Sequence, residues 1–303
     1  MAQRYDRAIL TILLCAGMLV ATGDMGFAKT SKSLAAHKHY ASVGVIRTPQ
    51  NLDLRSASVL VEDQRTGEFL IQKRAAAVVP IASITKLMTA MVVLDAQMDL
   101  KESLIIKPED VDTLRHSRSR LPVGASLTRE EALLLALMAS ENRAAHVLGR
   151  AYPGGVNAFV MAMNAKAQSL GLAETRFDDP TGLSSRNVSS ARNLADMVNA
   201  AYNYPLIREF TTRDDAVIHS GRRTVAFHNT NRLVRSPRWQ IGLSKTGFID
   251  EAGRCLVMQA HVAQRPVLIV LLDAQGKQTR FADANRIKQW MEGPPPSRRT
   301  RKG

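Results

Sequence analysis

Pro80-Ile81-Ala82-Ser83-Ile84-Thr85-Lys86-Leu87-Met88-Thr89-Ala90-Met91-Val92-Val93-Leu94 reads as the start of a buried helix. Pro80 and Ser83 suit a helix entrance, and the run behind them is too apolar to face water. Ser83 and Lys86 are three residues apart, so on a helix they share a face and their side chains can touch. A serine attacks a carbonyl only when something takes its proton, and a neutral lysine in hydrogen-bond reach can do that. The helix N-terminus would also lower the energy of an anion developing on Ser83. Alone the pattern is weak. S-x-x-K arises by chance roughly once in a chain of this length, and a capping serine beside a solvated lysine is its ordinary explanation.

The chain has 303 residues, 45% hydrophobic and 22% charged, which fits one large or two smaller globular domains with a sizeable core. Its start has the pattern of an export signal. Arg4 and Arg7 supply the positive end, residues 9–21 an apolar run, and Gly26-Phe27-Ala28 a cleavage site. That run is short and interrupted for a membrane span, although an uncleaved anchor is the alternative. Residues 1–28 carry two Arg and two Asp, so their removal leaves the net charge of +14 unchanged. Such a charge draws a protein to anionic polymers, and for an exported chain these are cell-envelope material rather than nucleic acid. Cys255 is then the only cysteine, which excludes an internal disulfide.

Residues 29–54 read as a linker, and His37 and His39 within it are poor metal ligands in so loose a basic segment. Strands are expected at 57–61 and 68–72 around a turn at 63–67, forming a hairpin ahead of the Ser83 helix. Residues 99–127 are less regular. Their basic cluster Arg115, His116, Arg118 and Arg120 is either a solvated loop or a contact for an acidic substrate. Thr128-Arg129-Glu130-Glu131 is a capping box opening an apolar helix over 132–139. That helix runs into Ser140-Glu141-Asn142, whose polar groups either find partners or simply end the helix. Helical patterns return at 156–170 and 191–202. Asp178 and Asp179 between them could hold a cation, but read better as a turn-forming pair, and Ser185-Arg186-Asn187 falls in the same turn-rich loop. Strands are expected at 225–227, 242–248, 255–262 and 266–272, then a helix at 281–291 and a disordered basic tail at 293–303. Strands at both ends with helices between them predict an α+β fold: one antiparallel sheet built from both termini, with a helical insertion.

Lys245-Thr246-Gly247 completes a set. A lysine on a strand edge supplies a fixed cation for a carboxylate, Thr246 can hydrogen-bond the same group, and Gly247 lets a substrate backbone approach. The order S-x-x-K, S-x-N, K-T-G matches the triplet of class A β-lactamases and penicillin-binding proteins. The chain resembles the low-molecular-mass penicillin-binding proteins, serine D-alanyl-D-alanine peptidases, and most of all their endopeptidase branch, the penicillin-binding protein 7 type. The resemblance runs from about 56 to 291 and includes the stretches 80–95, 134–145 and 227–234. Ser140-Glu141-Asn142 departs from the Gly-Asn form typical of the carboxypeptidase branch.

The resemblance implies a serine β-lactamase/penicillin-binding-protein-like fold over 55–292, acting on peptidoglycan peptide stems and acylated by β-lactams. Ser83 is implied as nucleophile, Lys86 as proton acceptor, Ser140 as proton relay and Asn142 as the group orienting substrate and Lys86. Lys245 would hold the substrate carboxylate, and the N–H groups of Ser83 and Phe248 would form the oxyanion hole. Burial, Lys245 and the helix N-terminus would all disfavour a charged Lys86. No cofactor or metal is expected, and the histidines show no H-E-x-x-H spacing. Three rival readings stand beside this one. They are a carboxypeptidase trimming terminal D-Ala, a β-lactamase, for which 174–184 offers no convincing glutamate, and a catalytically silent wall-binding protein.

Overall fold

The computed structural model describes residues 52–220 and 223–293, so the expected export segment, most of the linker and nearly all of the basic tail lie outside it. In chain order the first elements are β1 (Ser56–Asp63), β2 (Glu68–Lys73), β3 (Val79–Pro80) and α1 (Lys86–Asp95). They are followed by β4 (Ser103–Ile105), β5 (Ser126–Thr128), α2 (Arg129–Met138), α3 (Asn142–Arg150) and α4 (Gly155–Ser169). Next come β6 (Val188–Ser189), α5 (Ala191–Tyr202), α6 (Pro205–Thr212), β7 (Asp215–Ser220) and β8 (Arg223–His228). The chain closes with β9 (Gln240–Ile249), β10 (Gly253–Val262), β11 (Arg265–Ala274) and α7 (Thr279–Glu292).

Five strands form an antiparallel sheet in the order β2-β1-β11-β10-β9. The first two strands of the chain therefore pair with its last three, and the helices from α1 to α6 are inserted between them, as expected for this α+β fold. The sheet is buried on both faces, which is why β11 reads as an unbroken apolar run: residues 267–272 have no exposed surface. One face packs on the inserted helices and the other on α7. The hairpin from β10 to β11 turns through Ala263 and Gln264, both at positive φ, the backbone that a two-residue turn needs to follow strand twist. At the other end of the sheet, buried Asp283 on α7 accepts from the N–H and hydroxyl of Ser56 at 2.7 Å each, pinning the start of β1.

The helix α1 is the centre of the inserted layer, packed against α2, α3, α4 and α5. Every residue from Lys86 to Val93 is buried, so its apolar run has no solvent face to colour. The capping box at Thr128 forms as expected: its hydroxyl accepts from Glu131 N at 3.1 Å, and Glu131 accepts from Thr128 N at 2.7 Å. Expectation and structure differ in four places. Pro80 lies in β3, paired with β6, rather than at a helix entrance. Residues 99–127 contain two short paired strands, β4 and β5. The apolar helix α2 ends at Met138 close to where expected, but α3, which was not expected, starts at Asn142. Finally, α6 and β7 were not expected, because both are short and take their stability from contacts with β9 and β8.

Candidate active site

Four segments converge on Ser83, and each is shaped by local backbone chemistry. Ser83 lies in a single tight helical turn, Ala82–Thr85, that feeds α1, with Ala82 at φ 48°. Between α2 and α3, Ser140 also takes positive φ, 59°, and Glu141 caps α3 by accepting from Arg143 N. A residue with a side chain costs energy in that region, and the cost is borne where it aims a functional group. The third segment is β9, which forms one edge of the sheet. A Cβ on Gly247 would stand 2.9 Å from the Ile81 carbonyl and 3.2 Å from Ser83 N. Gly247 is therefore needed for β9 to lie against the Ala82–Thr85 turn, a closer constraint than the substrate approach expected for it. The fourth segment is the 178–187 loop, in which Gly182 packs on the Ala82 carbonyl with no room for a side chain.

Lys86 Nζ donates to Ser83 Oγ at 2.8 Å, to Asn142 Oδ1 at 2.8 Å and to the carbonyl of Thr181 at 2.6 Å. It is 1% exposed. Burial pulls its pKa down to about 7, against the opposing pull of Asp179, Glu141 and Asp112. Lys86 can therefore be neutral at physiological pH, and its lone pair can take the Ser83 proton across the same contact. Three positioned acceptors hold it there.

Lys245 is equally buried and donates to Ser140 Oγ at 2.8 Å and to the Thr246 carbonyl at 3.1 Å. Its pKa lies well below the ordinary lysine value, first through burial and then through repulsion from Lys86 and Arg280. Arg280, on α7, reaches the Gly247 carbonyl and keeps a buried Nε without a hydrogen-bond partner. Among the described residues neither Lys245 nor Arg280 has a carboxylate partner, and an anion bound beside β9 would favour the charge that burial disfavours. Phe248 is half-exposed at the end of this strand, with the Arg254 guanidinium 4.2 Å from its ring centroid.

All eight residues singled out in the sequence lie on these converging segments, and three of their partners, Thr181, Ser117 and Thr230, are not among the eight. Thr181 supplies the carbonyl that holds Lys86. Ser117 accepts from Asn142 Nδ2 at 2.9 Å, and Thr230 accepts from Thr246 Oγ1 at 2.6 Å. Ser117 sat in view inside the basic cluster. In that cluster Arg115 is tied down, donating to the Leu183 carbonyl at 2.6 Å and to Glu251, and Arg120 donates to the Ala226 carbonyl, while His116 and Arg118 face solvent. A cavity of about 450 Å³ opens beside Asn142 and Thr181, with Arg115, His146, Arg186 and Glu251 on its walls. The 178–187 loop offers Lys86 a carbonyl rather than a carboxylate. Cys255 is buried, and burial pushes its thiol up to about 11, so it is no rival nucleophile.

Comparison with known proteins agrees with this geometry. A family model described as D-alanyl-D-alanine carboxypeptidase matches residues 45–276. The D-alanyl-D-alanine endopeptidase of Pseudomonas aeruginosa is 50% identical over 246 residues, 80% of this chain and 79% of that one. That of Escherichia coli is 46% identical over 254 residues, covering 83% and 82%. Among solved structures, a mutant of the Streptomyces K15 DD-transpeptidase superposes with a TM-score of 0.73 at 27% identity, covering 78% of this chain and 98% of that one. The chain therefore belongs to the D-alanyl-D-alanine carboxypeptidase family of serine peptidases, and it is 46–50% identical to two members named endopeptidases.

Proposed function

We propose that this chain is a D-alanyl-D-alanine endopeptidase that cuts peptide cross-links in peptidoglycan through an acyl-enzyme on Ser83. The observation that carries the reading is the contact of Lys86 with Ser83 at 2.8 Å, made by a buried lysine whose pKa lies at about 7. Neutral Lys86 takes the hydroxyl proton as Ser83 Oγ attacks the D-Ala carbonyl. The N–H groups of Ser83 and Phe248 receive the oxyanion. Ser140, bonded to Lys245, gives its hydroxyl proton to the leaving amine as the C–N bond breaks and takes back in its place the proton held by Lys86, which leaves Lys86 neutral again. Water then attacks the ester, restoring Ser83 and releasing a D-Ala carboxylate. Lys245 and Thr246 hold the carboxylate of the leaving residue, or the matching carboxylate of penicillin. Asn142 orients Lys86 and the acyl chain, and the adjoining cavity has room for the peptide stem.

The leaving amine of a cross-link belongs to the diamino acid of a neighbouring stem. Relatives named endopeptidases at 46–50% identity support that leaving group over free D-Ala. The start of the chain supports export to the periplasm with the signal removed, and the net charge of +14 supports peripheral contact with anionic envelope polymers.

The test is product analysis by mass spectrometry on a defined cross-linked muropeptide dimer that retains a terminal D-Ala. Conversion to monomers is expected. Release of free D-Ala from an intact dimer would make the chain a carboxypeptidase, and rapid turnover of penicillin in place of a lasting adduct would make it a β-lactamase.

A further inference from the structure

Asp178-Asp179 has the local pattern of a turn-forming pair, and Ser185-Arg186-Asn187 lies further along the same turn-rich loop. In the fold the two stretches meet. Asp179 Oδ1 accepts from the N–H and hydroxyl of Thr181 and from Gly182 N. Its other oxygen accepts from Ser184 N at 2.8 Å and from Asn187 Nδ2 at 3.1 Å. Asn187 is fully buried, and its own side-chain oxygen accepts from the backbone N–H groups of Asp178 and Asp179. One carboxylate and one amide thus close the loop on itself. A turn-forming aspartate needs one or two such bonds.

The closed loop is fastened to the catalytic machinery on three sides. Thr89 on α1 donates to the Pro180 carbonyl at 2.7 Å. Ile81 N, two residues ahead of Ser83, donates to the Asn187 carbonyl at 3.0 Å, next to the pairing of β3 with β6. Gly182, at φ 82°, lies against the Ala82 carbonyl. Between these fastenings the Thr181 carbonyl points at Lys86 Nζ. The carboxylate of the neighbouring Asp178 takes no part in this, being paired with the exposed Arg186.

We propose that Asp179 is a positioning residue of the acyl-transfer site: clasped with Asn187, its carboxylate fixes the Thr181 carbonyl on Lys86 and presents negative charge to that lysine. The proposal rests on the reading of Ser83 as nucleophile and Lys86 as its base.

The charge can be separated from the scaffold. The charged groups acting on Lys86 are Asp179, Glu141 at the start of α3, Asp112 in the loop ahead of Ser117, and Lys245 on β9. Glu141 is occupied in capping α3, and Asp112 accepts from the backbone of Leu114, Arg115 and Ser117. Asp179 exerts the largest of the carboxylate pulls on Lys86, and a negative neighbour raises a lysine's affinity for its proton. Removing that charge lets Lys86 lose its proton at lower pH. A carboxylate that merely braced the loop would leave the titration in place.

The experiment measures the second-order rate of acylation of the full chain by benzylpenicillin from about pH 5 to about pH 9, in wild type, Asp179→Asn and Asp179→Glu. Thermal unfolding is recorded alongside. Asp179→Asn is expected to slow acylation on the order of tenfold or more and to move the acid limb down by on the order of one pH unit. Asp179→Glu keeps the charge but lengthens the arm, so its rate falls while its acid limb stays. A slowed Asp179→Asn with an unmoved acid limb would overturn the proposal, as would wild-type rates in either variant. Should Asp179→Asn fail to fold, Asp179→Glu decides alone, since unaltered acylation there refutes the positioning role. A wild type that penicillin does not acylate would instead remove the reading of Ser83 and Lys86.

Discussion

Lys245 Nζ donates to Ser140 Oγ across 2.8 Å, joining the edge strand β9 to the break between α2 and α3. The two residues are 105 positions apart, and both are held by backbone that leaves them little freedom. Lys245 is buried on a paired strand, and Ser140 stands at φ 59° between two helices. The contact connects the group proposed to protonate the leaving amine with the cation proposed to hold the leaving residue's carboxylate. Ser140→Ala should therefore slow acylation by about 10²-fold or more, the scale of a lost proton-transfer group. Stopped-flow acylation with a chromogenic β-lactam measures it, and a change of less than threefold (~0.6 kcal/mol) would contradict the relay role.

The lysine at about 7 predicts a pH dependence in both rate and stability. Acylation should rise with pH through about 7, as Lys86 becomes neutral. For stability the sign follows from proton counts. The lysine's ordinary value is 10.5 and its folded value about 7, so between those values the unfolded chain binds a proton that the fold does not. Stability contributed by this group then rises with pH across that window and is flat below it. Lys86→Met removes the term, so its unfolding free energy should increase less than that of wild type between about pH 7 and about pH 9. Urea titrations at the two pH values measure the difference.

Gly247→Ala should damage function more than folding. Its new Cβ would press on the Ile81 carbonyl and Ser83 N at 2.9 and 3.2 Å, and either β9 or the nucleophile turn must give way. Overpacking of this kind costs about 1–3 kcal/mol of stability. A displacement approaching 1 Å at the nucleophile costs roughly 10²-fold in rate. Denaturant midpoints and acylation rates on the same preparation separate the two effects.

Thr128→Ala should show the opposite pattern. The capping box lies at the start of α2, whereas Ser140 follows its end, and its loss should cost about 0.5–2 kcal/mol of stability. The acylation rate of the folded protein should stay at the wild-type value, which the same pair of measurements checks.

Much of this molecule was legible in its sequence where the cause is local. The bounds of α5 were read without error and the capping box of α2 formed as written, because helix period and end chemistry act within a few residues. The approach of Ser83 to Lys86 was readable for the same reason, both lying within one turn of chain. The start of α3 was missed although Arg143, His146 and Arg150 alternate with buried Ala144, Ala145, Val147 and Leu148 at helical spacing. The polar run at Ser140–Asn142 looked like an end, and only a positive φ turns it into a corner.

What the sequence could not reveal depended on contacts between segments far apart in the chain. Lys86 meets Thr181 across 95 positions and Asn142 across 56, while Asn142 reaches back 25 positions to Ser117. A pair such as Asp178-Asp179 carries the same local signal whether or not a buried lysine lies beyond it, so propensity returned only a turn. The sequence by itself determined the antiparallel sheet from both termini, the helices with strong period, and the pairing of Ser83 with Lys86 on one turn. The tertiary structure alone decided which carbonyl holds Lys86, which hydroxyls hold Asn142 and Thr246, and how low the Lys86 pKa falls. The reason is physical: burial and long-range hydrogen bonds are properties of the packed chain, and no window of residues contains them.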